Sequence, residues 1–332
     1  MFKKDLKVYA AFLILLFVSF SSYAAQDPLP SWNEGPIKQK LIQFVNEVTD
    51  KNSSHYVVPE DRVATFDNDG TMWVEQPLYT QYIFALDRVA KMAPQHPEWK
   101  TEQPFASVLA KDYSKLSEQD FEKIFITTQT GMSVEDYKSL AQQWLQVAEN
   151  TRFQKHYTQL VYLPMLEAMN YLRQNNFRVY IVSGGGQDFI RSFAPQIYQV
   201  PLENIIGAAI HTQYTYKNDQ PQLIKIPKVV IIDDKSGKPE GINLFIGKKP
   251  IIAFGNSDGD RQMLEWTQSN GGEHLMLLVH HDDAAREYAY GAQSKIGTFS
   301  DSLMTEANTK GWQVISMKND WKTIFSFEHA GN

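Results

Sequence analysis

The chain has 332 residues, 43% hydrophobic and 21% charged, with a formal net charge of −6. This suits one large globular domain, or a domain carrying an insertion, with a sizeable buried core. It has no cysteine, which excludes disulfides and thiolate metal sites, and its eight histidines show no HExxH-type spacing. Residues 1–24 have a basic start (Lys3, Lys4, Lys7), an apolar run from Val8 to Phe20 and small residues at Ser22 and Ala24. They read as a secretory signal peptide cleaved after Ala24. The competing reading is a membrane anchor, but the run is short for a span of about 20 apolar residues. The expected location is therefore secreted or periplasmic, with no stable membrane anchor once the signal is removed. Without that segment's three lysines and one aspartate the remainder carries −8. An acidic chain with no basic stretch argues against nucleic acid as a partner, and an anionic ligand must be captured by local positive groups.

After a polar lead-in, Arg62 to Asp67 reads as a short buried strand that stops at a Gly-containing turn. From about Pro77 to Tyr157 the periodicity is helical, and Ser117 and Ser133 stand at N-cap positions with carboxylates in the first turn. Residues 78–159 are thus expected to be a helical insert. Its nine basic and ten acidic residues nearly cancel, so charge does not point to its ligand. Strand–helix alternation then resumes. "PMLEAMNYLRQNN" is a helix opened by Pro164, "FRVYIVSGGG" a strand and "DFIRSFAPQ" a helix. "IIGAAIHTQYTY" and "QLIKIPKVVIIDD" form a hairpin, and "PIIAFGNSDGD" is a strand followed by the helix "RQMLEWTQ". "HLMLLVHHDD" is a further strand, and "WQVISMKNDWKTIF" a final edge element. This alternation predicts an α/β protein with a parallel sheet covered on both faces, built from residues 57–77 and 160–332.

Ligands of open parallel sheets bind beyond the carboxyl ends of the strands. Polar residues follow the apolar runs at three such exits: Asp67 and Asp69; Ser183 with Gly184 to Gly186; and Asn256, Asp258 and Asp260. Lys235 and Lys238 precede the third. Each piece alone has a bland reading: a turn or calcium loop for the aspartates, a plain turn for the glycines, solvated surface for the lysines. Together they suit magnesium-assisted phosphoryl transfer, because the ion takes hard oxygen ligands and a carboxylate can act as covalent nucleophile. A cation would also offset the repulsion between Asp67 and Asp69.

In this order the motifs resemble those of the haloacid dehalogenase superfamily, in its phosphoserine-phosphatase-like branch. "DNDGT" (Asp67 to Thr71) matches the signature DxDGT, "IVSGGGQDF" the hydroxyl motif at Ser183, "GKPEGI" the lysine motif at Lys238, and "GNSDGD" the acidic motif. The resemblance runs from about Val57 to His280. It implies a doubly wound, Rossmann-like core with a helical cap inserted after the first strand motif, and phosphatase activity on a small phosphorylated molecule. Asp67 would attack phosphorus, Asp69 would act as acid and then base, Ser183 would bind phosphoryl oxygens with the amides of Gly184 and Gly185, and Lys238 would neutralise charge. Mg2+ would be held by Asp67, the Asp69 carbonyl, Asn256 and Asp260. Glu75 and Gln76 fall where relatives contact substrate, with helix capping as the alternative. The chain departs from the family at Asn256, where an aspartate is usual, and Asp258 is a candidate to supply the missing charge. His280 and His281, and Trp73, Trp99 and Trp144, read as packing or solvated residues. The rival readings are a phosphotransferase of the same superfamily and a non-catalytic binding protein that retains the fold.

Overall fold

The computed structural model describes residues 27–331, so the expected signal peptide lies outside the described residues. The helices and strands, in chain order, are α1 (Pro36–Thr49), β1 (Val63–Phe66), α2 (Thr80–Met92), α3 (Phe105–Leu109), α4 (Glu118–Gln129), α5 (Val134–Leu145), β2 (Glu149–Asn150), β3 (Lys155–His156), α6 (Leu163–Gln174), β4 (Arg178–Gly186), α7 (Gln187–Arg191) and α8 (Ala194–Ile197). They continue with β5 (Ile205–Lys217), β6 (Gln220–Ile231), α9 (Gly237–Phe245), β7 (Ile252–Gly255), α10 (Arg261–Gln268), β8 (Leu275–His280), α11 (Asp301–Lys310), β9 (Gln313–Ser316) and α12 (Met317–Asp320).

Seven strands form one sheet in the order β6-β5-β4-β1-β7-β8-β9. Every neighbouring pair is parallel except the β5–β6 hairpin. Both faces are covered, and successive side chains of one strand show it. In β7, Ile252 and Phe254 enter one apolar cluster and Ala253 the other. In β8, Leu275, Leu277 and Val279 alternate with Met276 and Leu278 in the same way. This two-sided burial makes the strands read as continuous apolar runs. Chain order puts β1 at the centre, with the later strands laid down first on one side and then on the other. Its carboxyl end is therefore the switch point where ligands of such sheets bind.

The segment before β1 is more structured than its polarity suggests. Helix α1 buries Leu41, Phe44, Val45 and Val48 on one face. The buried Lys38 ammonium is paired with Asp27 and Glu34, each at 2.6 Å. Another difference lies after β4, where the expected single helix is two short ones, α7 and α8. Phe193, at φ −130°, separates them. Pro195 lies in the first turn of α8 and cannot donate the backbone hydrogen bond that a continuous helix requires.

Between β1 and β4 the chain forms α2 to α5, and both expected caps are present. The Ser117 side chain accepts from the Asp120 amide while Asp120 answers to the Ser117 amide, and the Ser133 side chain accepts from the Asp136 amide. This insert has its own apolar cluster, which includes Leu86, Val89, Trp99, Phe105 and Ile124. The β5–β6 hairpin turns through Asn218 and Asp219, both at positive φ, as a two-residue turn of this twist requires. Its outer strand reaches the loop between α4 and α5, where Gly131 N donates to Lys225 O at 2.8 Å and Lys225 N to Met132 O at 2.9 Å.

Candidate active site

The side chains singled out at the strand exits meet around Lys238, in the first turn of α9. Its ammonium, only 2% exposed, donates to Asp67 Oδ1 at 2.6 Å, to Asp260 Oδ1 at 2.5 Å and to the Val182 carbonyl at 3.0 Å. Burial alone would favour loss of its proton, but Asp260 and Asp67 outweigh this and raise its pKa, so it is a fixed cation. Lys235, with its side chain exposed, is on the rim.

Asp67 directly follows β1, and its amide donates to Phe254 O of β7 at 2.9 Å. Burial and then Asp260 push its carboxyl well above the usual range, while Lys238 opposes them. Asp69 opens the turn that closes at Trp73 and accepts from the Trp73 indole N–H at 2.8 Å. Burial raises this carboxyl too, against the pull of Trp73. The sequence reading treated Trp73 only as packing. It does stack on Phe193, with ring centroids 4.4 Å apart, but it also orients Asp69. The available clue was its place four residues after Asp69 on a tight turn.

Ser183 ends the apolar part of β4, and its Oγ accepts from the Gly185 amide at 3.0 Å. That amide is therefore engaged with Ser183, which leaves the hydroxyl proton free to point elsewhere. A Cβ at Gly185 would stand 3.2 Å from Ser183 Oγ and 3.3 Å from Asp69 Oδ2, so the glycine marks where these two groups converge. Gly184 is exposed beside Asp234. The insert closes over this point: Gln81 Oε1 accepts from the Gly186 amide at 2.6 Å, and Phe125 abuts Gly186.

The acidic loop after β7 differs from expectation. Asp260 engages both its oxygens, one with Lys238 and the other with the amides of Asn256 (2.9 Å) and Ser257 (3.0 Å). It braces the lysine and the loop and has no unshared oxygen for a cation. Asp258 is turned outward to Ser300 and Arg261, so it does not replace the missing charge. Asn256, 1% exposed, donates from Nδ2 to Glu75 Oε1 at 2.7 Å and accepts at Oδ1 from the Thr71 hydroxyl at 3.2 Å. Glu75 is enclosed rather than presented to a substrate: it is 2% exposed and also accepts from Tyr290 OH at 2.6 Å. Burial pushes its carboxyl well above the usual range, with Tyr290 and Asn256 opposing and Asp69 and Asp67 adding to the rise. Gln76 donates to Ser294 and Ile296 O. His281 supports the turn from behind, its Nε2 2.7 Å from Gly70 O and its Nδ1 3.0 Å from Glu287. The carbonyl can only accept, so Nε2 carries a proton. His280 lies outside this group, near Asp282 and Phe299.

A residue the motifs did not mark is Asp233, fully buried just before α9. Its carboxyl faces the Ser183 amide without a partner at full hydrogen-bond geometry, and burial pushes it up to about 7. An acid raised in the folded state contributes stability at low pH that is lost as pH rises through the folded value. Asp233→Asn is therefore expected to raise the melting temperature more at about pH 8 than at about pH 4. Equal shifts in thermal unfolding at the two pH values would contradict this.

Whether these residues suit magnesium is a question of charge and donor type. Asp67 and Asp260 share the single buried ammonium of Lys238, and Asp69 and Glu75 lie close enough to Asp67 for the carboxyls to raise one another, so acidic groups outnumber buried cations there. Their donors are hard oxygens, as Mg2+ requires. Among the described residues no three His, Cys, Asp or Glu side chains are grouped to hold a metal. The oxygens that could hold such an ion are those of Asp67, the Asp69 carbonyl and Asn256 Oδ1, one carboxylate with two neutral donors, a set that would leave Mg2+ several waters.

No curated protein matches the chain. Among solved structures it is similar to a conserved functionally unknown protein from Anaerococcus prevotii DSM 20548. The two are 15% identical over 86% of this chain and 94% of that one, with a TM-score of 0.57, a likeness of fold alone. A phosphoserine phosphohydrolase-like protein from Francisella tularensis subsp. tularensis SCHU S4 is 15% identical over 76% and 94% of the two chains, with a TM-score of 0.41. A family model of haloacid dehalogenase-like hydrolases matches residues 64–265, which hold all four strand-exit motifs and more than half of the chain. The protein belongs to the haloacid dehalogenase-like hydrolases.

Proposed function

We propose that the protein is an exported, magnesium-dependent phosphomonoesterase that acts through an aspartyl-phosphate on Asp67. The observation that carries this reading is the Lys238 ammonium 2.6 Å from Asp67 Oδ1, beside the point where Ser183 Oγ and Asp69 Oδ2 converge. The Asp67 oxygen attacks phosphorus, the bond from phosphorus to the ester oxygen breaks, and the departing oxygen takes a proton from Asp69. Burial raises Asp69, which suits a group that must hold a proton in this step. Asp69 then accepts a proton from water as that water attacks phosphorus and releases Asp67. Ser183 and Lys238 bear on the phosphoryl oxygens, where positioning and charge stabilisation do most of the work of such transfers. Bound magnesium would supply positive charge against the nucleophile and the transferring group. The helical insert serves as a cap that excludes water and selects the leaving group.

The test is release of inorganic phosphate from p-nitrophenyl phosphate by the purified protein, with and without added magnesium. Absence of release at every magnesium concentration would remove the reading and leave a binding role. Asp69→Asn is expected to slow esters of alkyl alcohols more than the aryl ester, because poor leaving groups need the proton most. An equal loss on both classes, measured as kcat/KM, would assign the acid role to another group.

A further inference from the structure

We propose that Glu75 is a positioning residue that fixes the orientation of the Asn256 side-chain amide, holding Oδ1 on the Thr71 side. The two ends of an amide differ, since the NH2 group only donates and the oxygen only accepts. Asn256 Nδ2 lies 2.7 Å from Glu75 Oε1, and Thr71 Oγ1 lies 3.2 Å from Asn256 Oδ1. Turning the amide over would set its oxygen against the carboxylate, acceptor against acceptor, in a place where neither group reaches water. A buried polar group left so unmatched costs more than the bond it loses.

The surrounding backbone is shaped to hold Glu75 there. Gly70 (φ +76°) and Gly297 (φ +63°) both approach its carboxyl, and a Cβ at either position would collide with it. Tyr290 closes the third side with a 2.6 Å hydrogen bond. Residues far apart along the chain are thus brought together around one carboxyl. Glu75 Oε1 therefore stands as a doubly bonded acceptor one hydrogen bond behind an uncharged amide. An aspartate placed at 256 would not simply add charge, because it would bring a second carboxyl to within hydrogen-bond distance of the first. The inference rests on the magnesium reading only where metal affinity is the measurement.

The experiment is a double-mutant cycle on the full chain with Glu75→Gln, Asn256→Asp and the two combined. It is followed by thermal unfolding without metal and by calorimetric titration with magnesium chloride. Glu75→Gln is expected to weaken magnesium binding about tenfold or more, the usual scale for losing the group that orients a ligand. Asn256→Asp alone is expected to lower the melting temperature. The combined variant should recover it, since the amide introduced at position 75 can donate to the carboxylate introduced at position 256. It should also bind magnesium more tightly than either single variant. Strictly additive effects on melting temperature would overturn the proposal, as would a folded Glu75→Gln variant that binds magnesium as tightly as the unaltered chain. If the unaltered chain binds no magnesium, the metal reading falls, and coupling in the melting temperature decides the role of Glu75 alone.

Discussion

Asp67→Asn is expected to remove turnover of every phosphate ester, by a factor on the order of 10⁴ or more, the scale on which loss of a nucleophile acts. An amide is a poor nucleophile toward phosphorus, and no neighbouring group can take its place: Asp260 is bound to Lys238 and the loop amides, and Asp69 is held by Trp73. The substitution keeps the side-chain volume, and the bond from its backbone amide to Phe254 O is unaffected. Removing a buried charge that burial and Asp260 already disfavour partly offsets the lost contact with Lys238. The variant should therefore unfold within a few degrees of the unaltered chain. Residual activity of more than a few per cent would rule out covalent catalysis by Asp67. Acid quench of the unaltered enzyme during turnover, followed by mass spectrometry of the peptide that contains residue 67, reads the same step directly.

Lys238→Ala is expected to lose both activity and stability, and this pairing separates it from Asp67→Asn. Its ammonium is the cation that Asp67 and Asp260 share, and it also satisfies the Val182 carbonyl. Truncation leaves two carboxylates facing a cavity, and breaking a buried ion pair in this way costs about 3–5 kcal/mol. Lys235→Ala, three residues earlier on the exposed rim, should resemble the unaltered chain in both measurements. If Lys235→Ala proved the more damaging of the two, the lysine motif would have to be aligned three residues earlier.

What could be read in the sequence was what neighbours along the chain determine. The strands of the sheet were visible because two-sided burial demands unbroken apolar runs, and the motif residues because they stand where those runs stop. Ser117 and Ser133 could be placed as caps because a cap is satisfied within its own first turn. Helix α1 was missed because Lys38, Gln39 and Lys40 mask its apolar face, and although Glu34 stands four residues before Lys38, nothing local says that Asp27 pairs with it as well and lets it be buried. The interior of the site depended on distant partners. Glu75 was read as a substrate contact or a helix cap, and Tyr290 and Gly297 enclose it. Asp260 was expected to bind metal, yet Lys238 and two loop amides occupy it. Motif spacing gives the position of a side chain along a strand exit, but not which of several nearby groups claims its oxygens.

The hairpin that leaves the sheet at β5 also sets how the insert can move. Two covalent connections, after β1 and before β4, would by themselves let the helices swing open like a door on two hinges. The paired main-chain bonds between Lys225 and the Gly131–Met132 loop add a latch away from those hinges. Opening must then either break both bonds, at a net cost of about 1–3 kcal/mol for the two, or bend the hairpin along with the helices. On the proposed reading of the insert as a cap, entry to Asp67 would work against a spring whose stiffness resides in a β-ribbon that contains none of the proposed catalytic groups.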